Sequence, residues 1–199
     1  LPFIRAFDGL AALVQLGTVE VQVWGAKVDA IETPDQVIFD LDPDPGVPVE
    51  RVREAALTVR QRLEELGFES FLKTSGGKGF HVVLPLRPKA GWDEVKGFAR
   101  DFAKAMEQAE PKLYTATLSK KARKGRIFID YLRNGRGSTA IAPFSTRARP
   151  GAAVAMPVAW ELLEKDLAPD AFKAPDVTKK GAPDDAWAAF FKPRRSLKR

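Results

Sequence analysis

The amino-acid sequence predicts an α+β domain whose core runs strand, helix, strand, strand, helix, strand. Segments rich in β-branched and aromatic residues predict four strands, at 37–42, 68–73, 80–86 and 126–132. Apolar residues at helical spacing predict two helices, at 49–66 and 93–108. This βαββαβ order is typical of ferredoxin-like and RNA-recognition-motif folds, so we expect an antiparallel sheet of strand order 4-1-3-2 with both helices on one face.

The first half of this core has clear boundaries. A turn of three prolines and a glycine at 43–48 follows the first strand. Gly67 stands where the first helix needs a C-terminal cap. The apolar positions of that helix are Val52, Ala55, Ala56, Val59, Leu63 and Leu66.

The second half is punctuated by loops. A glycine-rich loop at 74–79 precedes the third strand, and a basic loop precedes the fourth. Gly135 and Gly137 then mark a turn into a further segment at 138–142. The second helix places Val95, Phe98, Phe102, Ala105 and Met106 on one side.

Additional elements flank the core. A helix ending at 10–16 is stopped by Gly17, and the alternating segment 19–24 predicts a half-buried strand. The segment 165–185 is rich in proline, alanine and charge and predicts a loose tail, after which the aromatics of 187–191 dock a last helix on the body. We therefore expect one domain over 1–199, with its core at 19–150 and a tail with the last helix at 165–199.

Composition indicates a folded protein with a polyanionic partner. The chain has 199 residues, 45% hydrophobic and 29% charged, and no cysteine, which excludes disulfides and thiolate metal sites.

Its net charge is +6, with basic clusters at 120–126, 133–149 and 194–199. The clusters at 120–126 and 133–149 favour nucleic acid, with a solvated surface as the alternative, whereas the C-terminal cluster favours a solvated face or a frayed basic tail. The absence of cysteine fits a cytoplasmic location, which we expect, and no apolar run is long enough to span a bilayer.

Three aspartates are the first candidates for chemistry. Asp40 and Asp42 lie two apart on a predicted strand, so their side chains share a face. Asp130 stands in an otherwise apolar strand and needs a partner. In the order 4-1-3-2 the fourth strand lies beside the first, which brings the three carboxylates together. They suit two hard cations, Mg²⁺ or Mn²⁺, of the kind that clamp both oxygens in phosphoryl transfer.

Two other roles are open to these aspartates. Asp42 could cap the turn that follows, since Asp-Pro sequences favour turns. The alternation from Asp40 to Asp44 also matches the start of a calcium loop, which needs glycine at its sixth position and glutamate at its twelfth. Pro45 and Arg51 stand there, so the calcium loop is rejected.

The glycine-rich loop predicts a phosphate site. Its glycines let backbone N–H groups approach phosphate, and Lys78 adds a positive charge. The spacing is not that of a Walker A loop, and a hairpin turn would use the same residues. His81, the sole histidine, could be a structural core residue. Together Ser75, Lys78 and His81 would surround a triphosphate with a hydroxyl, an ammonium and an imidazole.

Three motifs resemble those of archaeo-eukaryotic-type primases: Asp-Leu-Asp-Pro at 40–43, Lys-Thr-Ser-Gly-Gly-Lys-Gly-Phe-His at 73–81 and Arg-Ile-Phe-Ile-Asp-Tyr-Leu-Arg-Asn at 126–134. The resemblance is greatest to the polymerase domain of bacterial DNA ligase D, and Ala-Pro-Phe-Ser-Thr-Arg-Ala-Arg-Pro at 142–150 extends it. It implies a primase-type catalytic core that adds nucleotides, preferentially ribonucleotides, to DNA ends held by their 5′-phosphate. Such domains fill gaps before ligation in non-homologous end joining.

The resemblance also implies roles for individual residues. Asp40, Asp42 and Asp130 would bind two catalytic Mn²⁺ or Mg²⁺ ions. Ser75, Lys78 and His81 would hold the triphosphate of an NTP or dNTP, Arg123 and Arg147 would contact the nucleotide, and Arg133 would neutralise charge near the metals. Ku and a DNA ligase are candidate partners, and a cytoplasmic, nucleoid-associated location is implied.

The sequence departs from the family at two points. Gln22 stands where the family has histidine in a His-x-Trp pattern, which puts one contact to nucleotide or metal in doubt. The N-terminal part that helps bind the DNA 5′-phosphate and template is expected to be missing. Two alternatives therefore stay open, namely primase-type chain initiation and a truncated fragment that binds nucleic acid without full activity.

Overall fold

The computed structural model describes residues 3–181, 186–192 and 195–197. The helices are α1 (Phe7–Gln15), α2 (Val49–Glu65), α3 (Trp92–Ala109), α4 (Lys120–Arg123) and α5 (Ala174–Lys180). The strands are β1 (Gln22–Val23), β2 (Gln36–Pro43), β3 (Phe71–Thr74), β4 (Phe80–Pro85), β5 (Tyr114–Thr115), β6 (Ile127–Asp130), β7 (Ala140–Ile141) and β8 (Pro157–Val158). Short 3₁₀ turns occupy Val28–Ala30, Leu132–Asn134 and Trp160–Lys165.

The main sheet has the strand order β5-β6-β2-β4-β3-β8. Its four central strands are those of the βαββαβ core, so the predicted order 4-1-3-2 is confirmed. Their pairings are antiparallel, whereas the edge strand β5 pairs with β6 in parallel. A separate two-stranded ribbon joins β1 to β7, with Gln22 opposite Ile141.

The two long helices cover one face of the sheet, as the sequence predicts. Val37, Phe39 and Leu41 alternate along β2 toward this face and are fully buried among residues of α2 and α3. The Phe39 ring lies 4.6 Å from that of Phe102 on α3. Burial of each large apolar side chain contributes about 1.5–3 kcal/mol, which makes this layer the main source of stability.

The end of α2 confirms the predicted role of Gly67. Its φ of +80° lies in the left-handed region. Its N–H donates to the carbonyl of Glu64 at 2.8 Å, and that of Phe68 donates to Leu63 at 2.9 Å. This pair of bonds is the Schellman arrangement, which turns the chain from α2 toward β3.

The opposite face of the sheet is divided into an apolar and a polar part. Ile38, Val83 and Phe71 form a cross-strand row that packs against Trp187. Two residues further along the same strands the row becomes Asp40, His81 and Lys73. The apolar part anchors the C-terminal segment, and the polar part is left for chemistry.

Several predicted boundaries are wrong. The strand expected at 19–24 is reduced to β1, and Val19 and Val23 are exposed rather than half-buried, because this segment pairs with β7 outside the main sheet. The strand expected at 68–73 begins only at Phe71, since the Schellman turn occupies the residues before it. The strand expected to reach 132 ends at Asp130, where a 3₁₀ turn begins.

The basic loop and the C-terminal region also differ from expectation. The loop contains β5 and the short helix α4. Helix α5 lies in the segment predicted to be a loose tail, and residues 186–190 form turns rather than a last helix. Of the C-terminal basic run, Arg194, Lys198 and Arg199 lie outside the described residues. Over the described ranges, no helix has the length and apolar character needed to cross a membrane.

Candidate active site

A row of polar side chains crosses the sheet through four strands. Asp40 pairs with Asp130 on one side and with His81 on the other, and His81 pairs with Lys73. Residues opposite each other in antiparallel strands point to the same face. The row therefore lies on the face away from the helices. The predicted meeting of Asp40 with Asp130 is confirmed, and its cause is the strand order.

Two arginines face the three aspartates. Arg133 lies beside both members of the central pair, with its Nε 3.1 Å from Asp130 Oδ2 and 3.6 Å from Asp40 Oδ2. Arg123 forms an ion pair with Asp42 at 2.6 Å and stacks 4.1 Å above the Phe128 ring. The role predicted for Arg133, neutralising charge near the metal ligands, agrees with its position. Arg123 is held by Asp42 at the edge of the site.

The carboxylates of the central pair are poorly neutralised. Burial, reinforced by the neighbouring Asp130 carboxylate, raises the pKa of Asp40 to about 7. Burial also raises the pKa of Asp130, although Arg133 opposes this effect. Two buried carboxylates that repel each other favour a bound cation, and their hard oxygens suit Mg²⁺ or Mn²⁺.

Asp42 does not complete a three-carboxylate cluster in the structure. Among the described residues, no three acidic, histidine or cysteine side chains converge closely enough to hold a metal ion by themselves. Asp42 turns to Arg123, whereas Asp40 and Asp130 share Arg133. Mg²⁺ sites for phosphoryl transfer commonly use one or two carboxylates together with substrate phosphates. The paired aspartates therefore fit such an ion without a preformed cage.

His81 is a buried neutral residue at the centre of the row. Its Nε2 lies 3.5 Å from Asp40 Oδ1, and its Nδ1 has no hydrogen-bond partner among the described atoms. Burial holds the pKa of His81 well below its ordinary value, and the charges of Lys73 and Arg133 add to this effect. His81 therefore offers a neutral imidazole to a ligand.

The glycine-rich loop is fixed tightly against β2. A Cβ on Gly79 would lie 1.7 Å from the carbonyl oxygen of Leu41, the residue between the two aspartates of β2. Gly76 has a φ of +65°. The Ser75 hydroxyl accepts the N–H groups of Gly77 at 3.1 Å and Gly79 at 3.3 Å. The loop is thus held in register with the metal-ligand candidates.

The phosphate cradle predicted from the glycine N–H groups is not present in this form. The N–H of Gly76 donates to the carbonyl of Pro169 at 3.0 Å, and those of Gly77 and Gly79 are bonded to Ser75. Positive charge for a phosphate must come from side chains instead. Lys78 is exposed at the tip of the loop and supplies one such charge.

A cavity of about 240 Å³ lies above the polar row. Its residues come from the sheet, the glycine-rich loop, the β1–β7 ribbon and an arginine segment, namely Gln22, Asp40, Leu41, Asp42, Ser75, Gly77, Lys78, Gly79, His81, Arg133, Ala140, Ile141, Arg147 and Arg149. Arg147 is tied to the loop by a bond from its Nη1 to the Ser75 carbonyl at 3.1 Å. Its Nε lies 3.1 Å from Glu20. The cavity thus joins acids on its floor to cations on its rim.

Seven of the nine predicted site residues line this cavity, and two do not. Asp130 lies beside Asp40 on β6 and Arg123 is ion-paired with Asp42, but neither is among the lining residues. Sequence reasoning missed Arg149, which lines the cavity, and Lys73, which ends the polar row. The one sequence signal for Lys73 was its place two residues before Ser75, since its pairing opposite His81 is visible only in the structure.

Lys73 is an unusual buried cation. Only 1% of the residue is exposed, and its Nζ donates to the carbonyl of Ile141 on β7. Burial lowers the pKa of Lys73 to about 7, against the attraction of Asp40.

Comparison with known proteins identifies relatives of this chain. The sequence profile of the LigD primase-polymerase domain matches residues 1–187. The multifunctional non-homologous end joining protein LigD of Pseudomonas aeruginosa is 39% identical over 197 residues, which are 98% of this chain and 24% of that protein. The protein of the same name from Mycolicibacterium smegmatis is 37% identical over 162 residues, which are 80% of this chain and 21% of that protein.

A solved structure is similar as well. The polymerase domain from Mycobacterium tuberculosis ligase D, in complex with DNA, matches with a TM-score of 0.78 and 32% identity, covering 90% of this chain and 67% of that one. Sheet topology and cavity therefore define a domain of the primase-polymerase class. The chain belongs to the LigD primase-polymerase domain family. It spans about a quarter of the length of the curated relatives.

Proposed function

We propose that this chain is a metal-dependent nucleotidyltransferase that adds nucleotides to DNA ends or gaps in non-homologous end joining. The observation that carries the proposal is the row of Asp130, Asp40 and His81 beneath a cavity with a cationic rim. The names of the relatives concern end joining, and the solved structure that is similar is a polymerase domain in complex with DNA; both support the same reaction.

Asp40, Asp42 and Asp130 would hold two Mg²⁺ or Mn²⁺ ions: Asp40 and Asp130 already lie side by side, and Asp42 would exchange its ion pair with Arg123 for a metal ion. Such ions lower the pKa of an attacking 3′-hydroxyl and offset charge on the pyrophosphate that leaves. The protein contributes the spacing of the carboxylates, which is set by the β2–β6 register. Arg133 offsets the remaining negative charge on Asp40 and Asp130.

The rim would bind the triphosphate of an NTP or dNTP. Lys78, Arg147 and Arg149 line the cavity on the side of the glycine-rich loop. Guanidinium groups bind phosphate oxygens through paired hydrogen bonds, and an exposed ammonium adds a point charge. His81 lies at the floor of the cavity. There its neutral imidazole can donate a hydrogen bond to a phosphate oxygen without adding a positive charge that would repel the metal ions.

The basic surface beside the cavity would meet DNA. Helix α4 and its neighbours place Lys120, Lys121 and Lys124 in exposed positions next to Arg123. We include a DNA end with a 5′-phosphate among the proposed substrates, and Ku and a DNA ligase among the proposed partners.

Primer extension tests the proposal directly. Wild-type protein with Mn²⁺ or Mg²⁺, NTPs and a gapped or overhanging DNA end should extend the primer. Asp42→Asn should reduce extension by about 100-fold or more, because it weakens a metal ligand. Asp44→Asn is the matched control, since Asp44 lies two residues further, accepts an N–H from Gly125 at 2.9 Å and is outside the cavity. Full extension by Asp42→Asn would contradict the proposal.

The same assay separates the alternative functions. Products formed from template and NTPs without any primer would indicate primase-type initiation. DNA binding that is unchanged in EDTA, with no extension in either metal, would indicate a module that only binds nucleic acid.

A further inference from the structure

Lys73 connects two parts of the structure that face each other across the cavity. Lys73 lies on β3 at the end of the polar row, opposite His81. Its Nζ reaches the carbonyl of Ile141 on β7, in the ribbon outside the main sheet. One buried hydrogen bond therefore joins the row that forms the floor to the ribbon that forms a wall.

The wall has a direct part in the cavity. Gln22, Ala140 and Ile141 are lining residues, and Gln22 pairs with Ile141 across the ribbon. The ribbon is only two residues long in each strand, so its own pairing cannot hold it rigidly. The position of the wall thus depends on ties to the rest of the protein.

Burial of this cation has no packing rationale. A methionine would fill the same space without the desolvation penalty of an ammonium. Within the described residues no carboxylate lies within 4.0 Å of Lys73, so it is not one half of a structural ion pair. The ammonium group of Lys73 donates to the Ile141 carbonyl, and the Asp40 carboxylate attracts it from the other side of His81.

We propose that Lys73 is a positioning residue for the incoming nucleotide, acting through Ile141 to set the distance between the ribbon and the row of Asp40 and His81. Lys73 does not itself touch substrate. This inference rests on the proposed function, because it concerns the same cavity. In this proposal the ribbon positions the nucleotide from the side of the cavity opposite the metal-ligand candidates.

The test compares Lys73→Met and Lys73→Arg with wild type in steady-state primer extension. We expect Lys73→Met to raise the KM for NTP about tenfold with kcat changed far less, because a displaced wall weakens binding before chemistry. Lys73→Arg keeps the cation and its donors but moves them, so an intermediate KM is expected.

Arg53→Met is the matched control. Arg53 is another buried cation, 9% exposed, but it lies on α2 and pairs with Asp166 at 2.8 Å on the other side of the sheet. Thermal unfolding of all variants separates loss of stability from loss of nucleotide binding. A merely structural role for Lys73 would lower the unfolding temperature and leave the KM unchanged, as in Arg53→Met.

Three outcomes overturn the inference: an unchanged KM in folded Lys73→Met, an equal KM change in Arg53→Met, or, if Lys73→Met does not fold, an unchanged KM in Lys73→Arg. Failure of the proposed function is a different result. In that case wild type itself does not extend primers, whereas an active wild type with an unaffected Lys73→Met refutes the role of Lys73 alone.

Discussion

At the scale of single residues, the site depends on charges that the sheet forces together. Asp40 and Asp130 face each other because β2 and β6 pair in one register, and a shift of β6 by one residue would move Asp130 to the core face. The sequence was sufficient to predict this pair, because their residue types and spacing do not suit an apolar strand. It was not sufficient for Lys73, whose neighbours also fit a solvent-exposed lysine.

The pKa of Asp40 predicts a pH-dependent stability difference. The carboxyl keeps its proton in the folded protein up to about pH 7, whereas the unfolded chain releases it near the ordinary value of 3.8. Ionisation therefore favours the unfolded state across this window, and stability is lost as pH rises. Asp40→Asn removes the effect, so its gain in free energy of unfolding should grow from pH 4 to pH 7, by at most about 4 kcal/mol.

Urea unfolding of wild type and Asp40→Asn in EDTA, at several pH values, measures this difference. The difference between the two proteins contains the contribution of Asp40 together with its coupling to His81, which lies 3.5 Å away and whose lowered pKa acts in the opposite direction below pH 6.5. A difference in free energy of unfolding that stays constant between pH 4 and pH 7 would contradict this prediction. It would show that the charge of Asp40 is compensated in the folded protein.

At the scale of elements, the glycine-rich loop and β2 form one unit. The sequence predicts the loop and its neighbouring strands, but it cannot show that Gly79 contacts the Leu41 carbonyl, because that contact joins segments far apart in the chain. The same limit explains the error at 19–24. Its alternation suits a strand, but the partner of β1 is β7, and pairing outside the main sheet leaves the valines exposed.

Substitution of Gly79 should damage the fold and the site together. A Cβ within 1.7 Å of a backbone oxygen cannot be relieved by a side-chain movement, so Gly79→Ala should cost about 3 kcal/mol and displace the loop from β2. The matched control is Gly97→Ala on α3, where nothing lies within 4 Å. There alanine should stabilise the helix by about 1 kcal/mol. Chemical denaturation of both variants checks the two signs, and equal effects would contradict the proposed close approach.

At the scale of the whole molecule, charge is segregated between the two faces of the sheet. The side that carries the cavity has Lys78, Arg133, Arg147 and Arg149, with α4 beside it. The outer surface of α2 carries arginines that are paired with glutamates. The sequence predicted basic clusters and their nucleic-acid partner. The order of strands determines which of these clusters share a surface.

DNA affinity should therefore depend on salt and on α4. Replacing Lys121 and Lys124 by serine should reduce the slope of log affinity against log salt concentration by about two, if each contacts one phosphate. Replacing Arg60 and Arg62 on α2 should leave the slope unchanged, because both are paired on the far side of the sheet. Fluorescence anisotropy with an overhanging DNA end measures both slopes, and equal losses would argue against a localised DNA surface.

The tail shows a further limit of sequence reasoning at this scale. Proline, alanine and charge predicted a loose segment, but α5 forms there. The predicted docking of the aromatic residues is confirmed for Trp187, which is buried against Ile38 and Phe71 on the sheet. A composition-based prediction did not detect α5, because Ala174 and Val177 pack against a core made largely of residues from distant parts of the chain.

The central claim is that the carboxylate row and the cationic rim bind metal ions and a triphosphate in one cavity. A crystal structure with Mn²⁺ and a non-hydrolysable NTP tests it most directly. Anomalous diffraction data would locate the manganese. We predict anomalous peaks within about 2.5 Å of carboxylate oxygens of Asp40 and Asp130, with the triphosphate extending toward Lys78 and Arg147. A triphosphate bound elsewhere, or no manganese at these aspartates, would contradict the account.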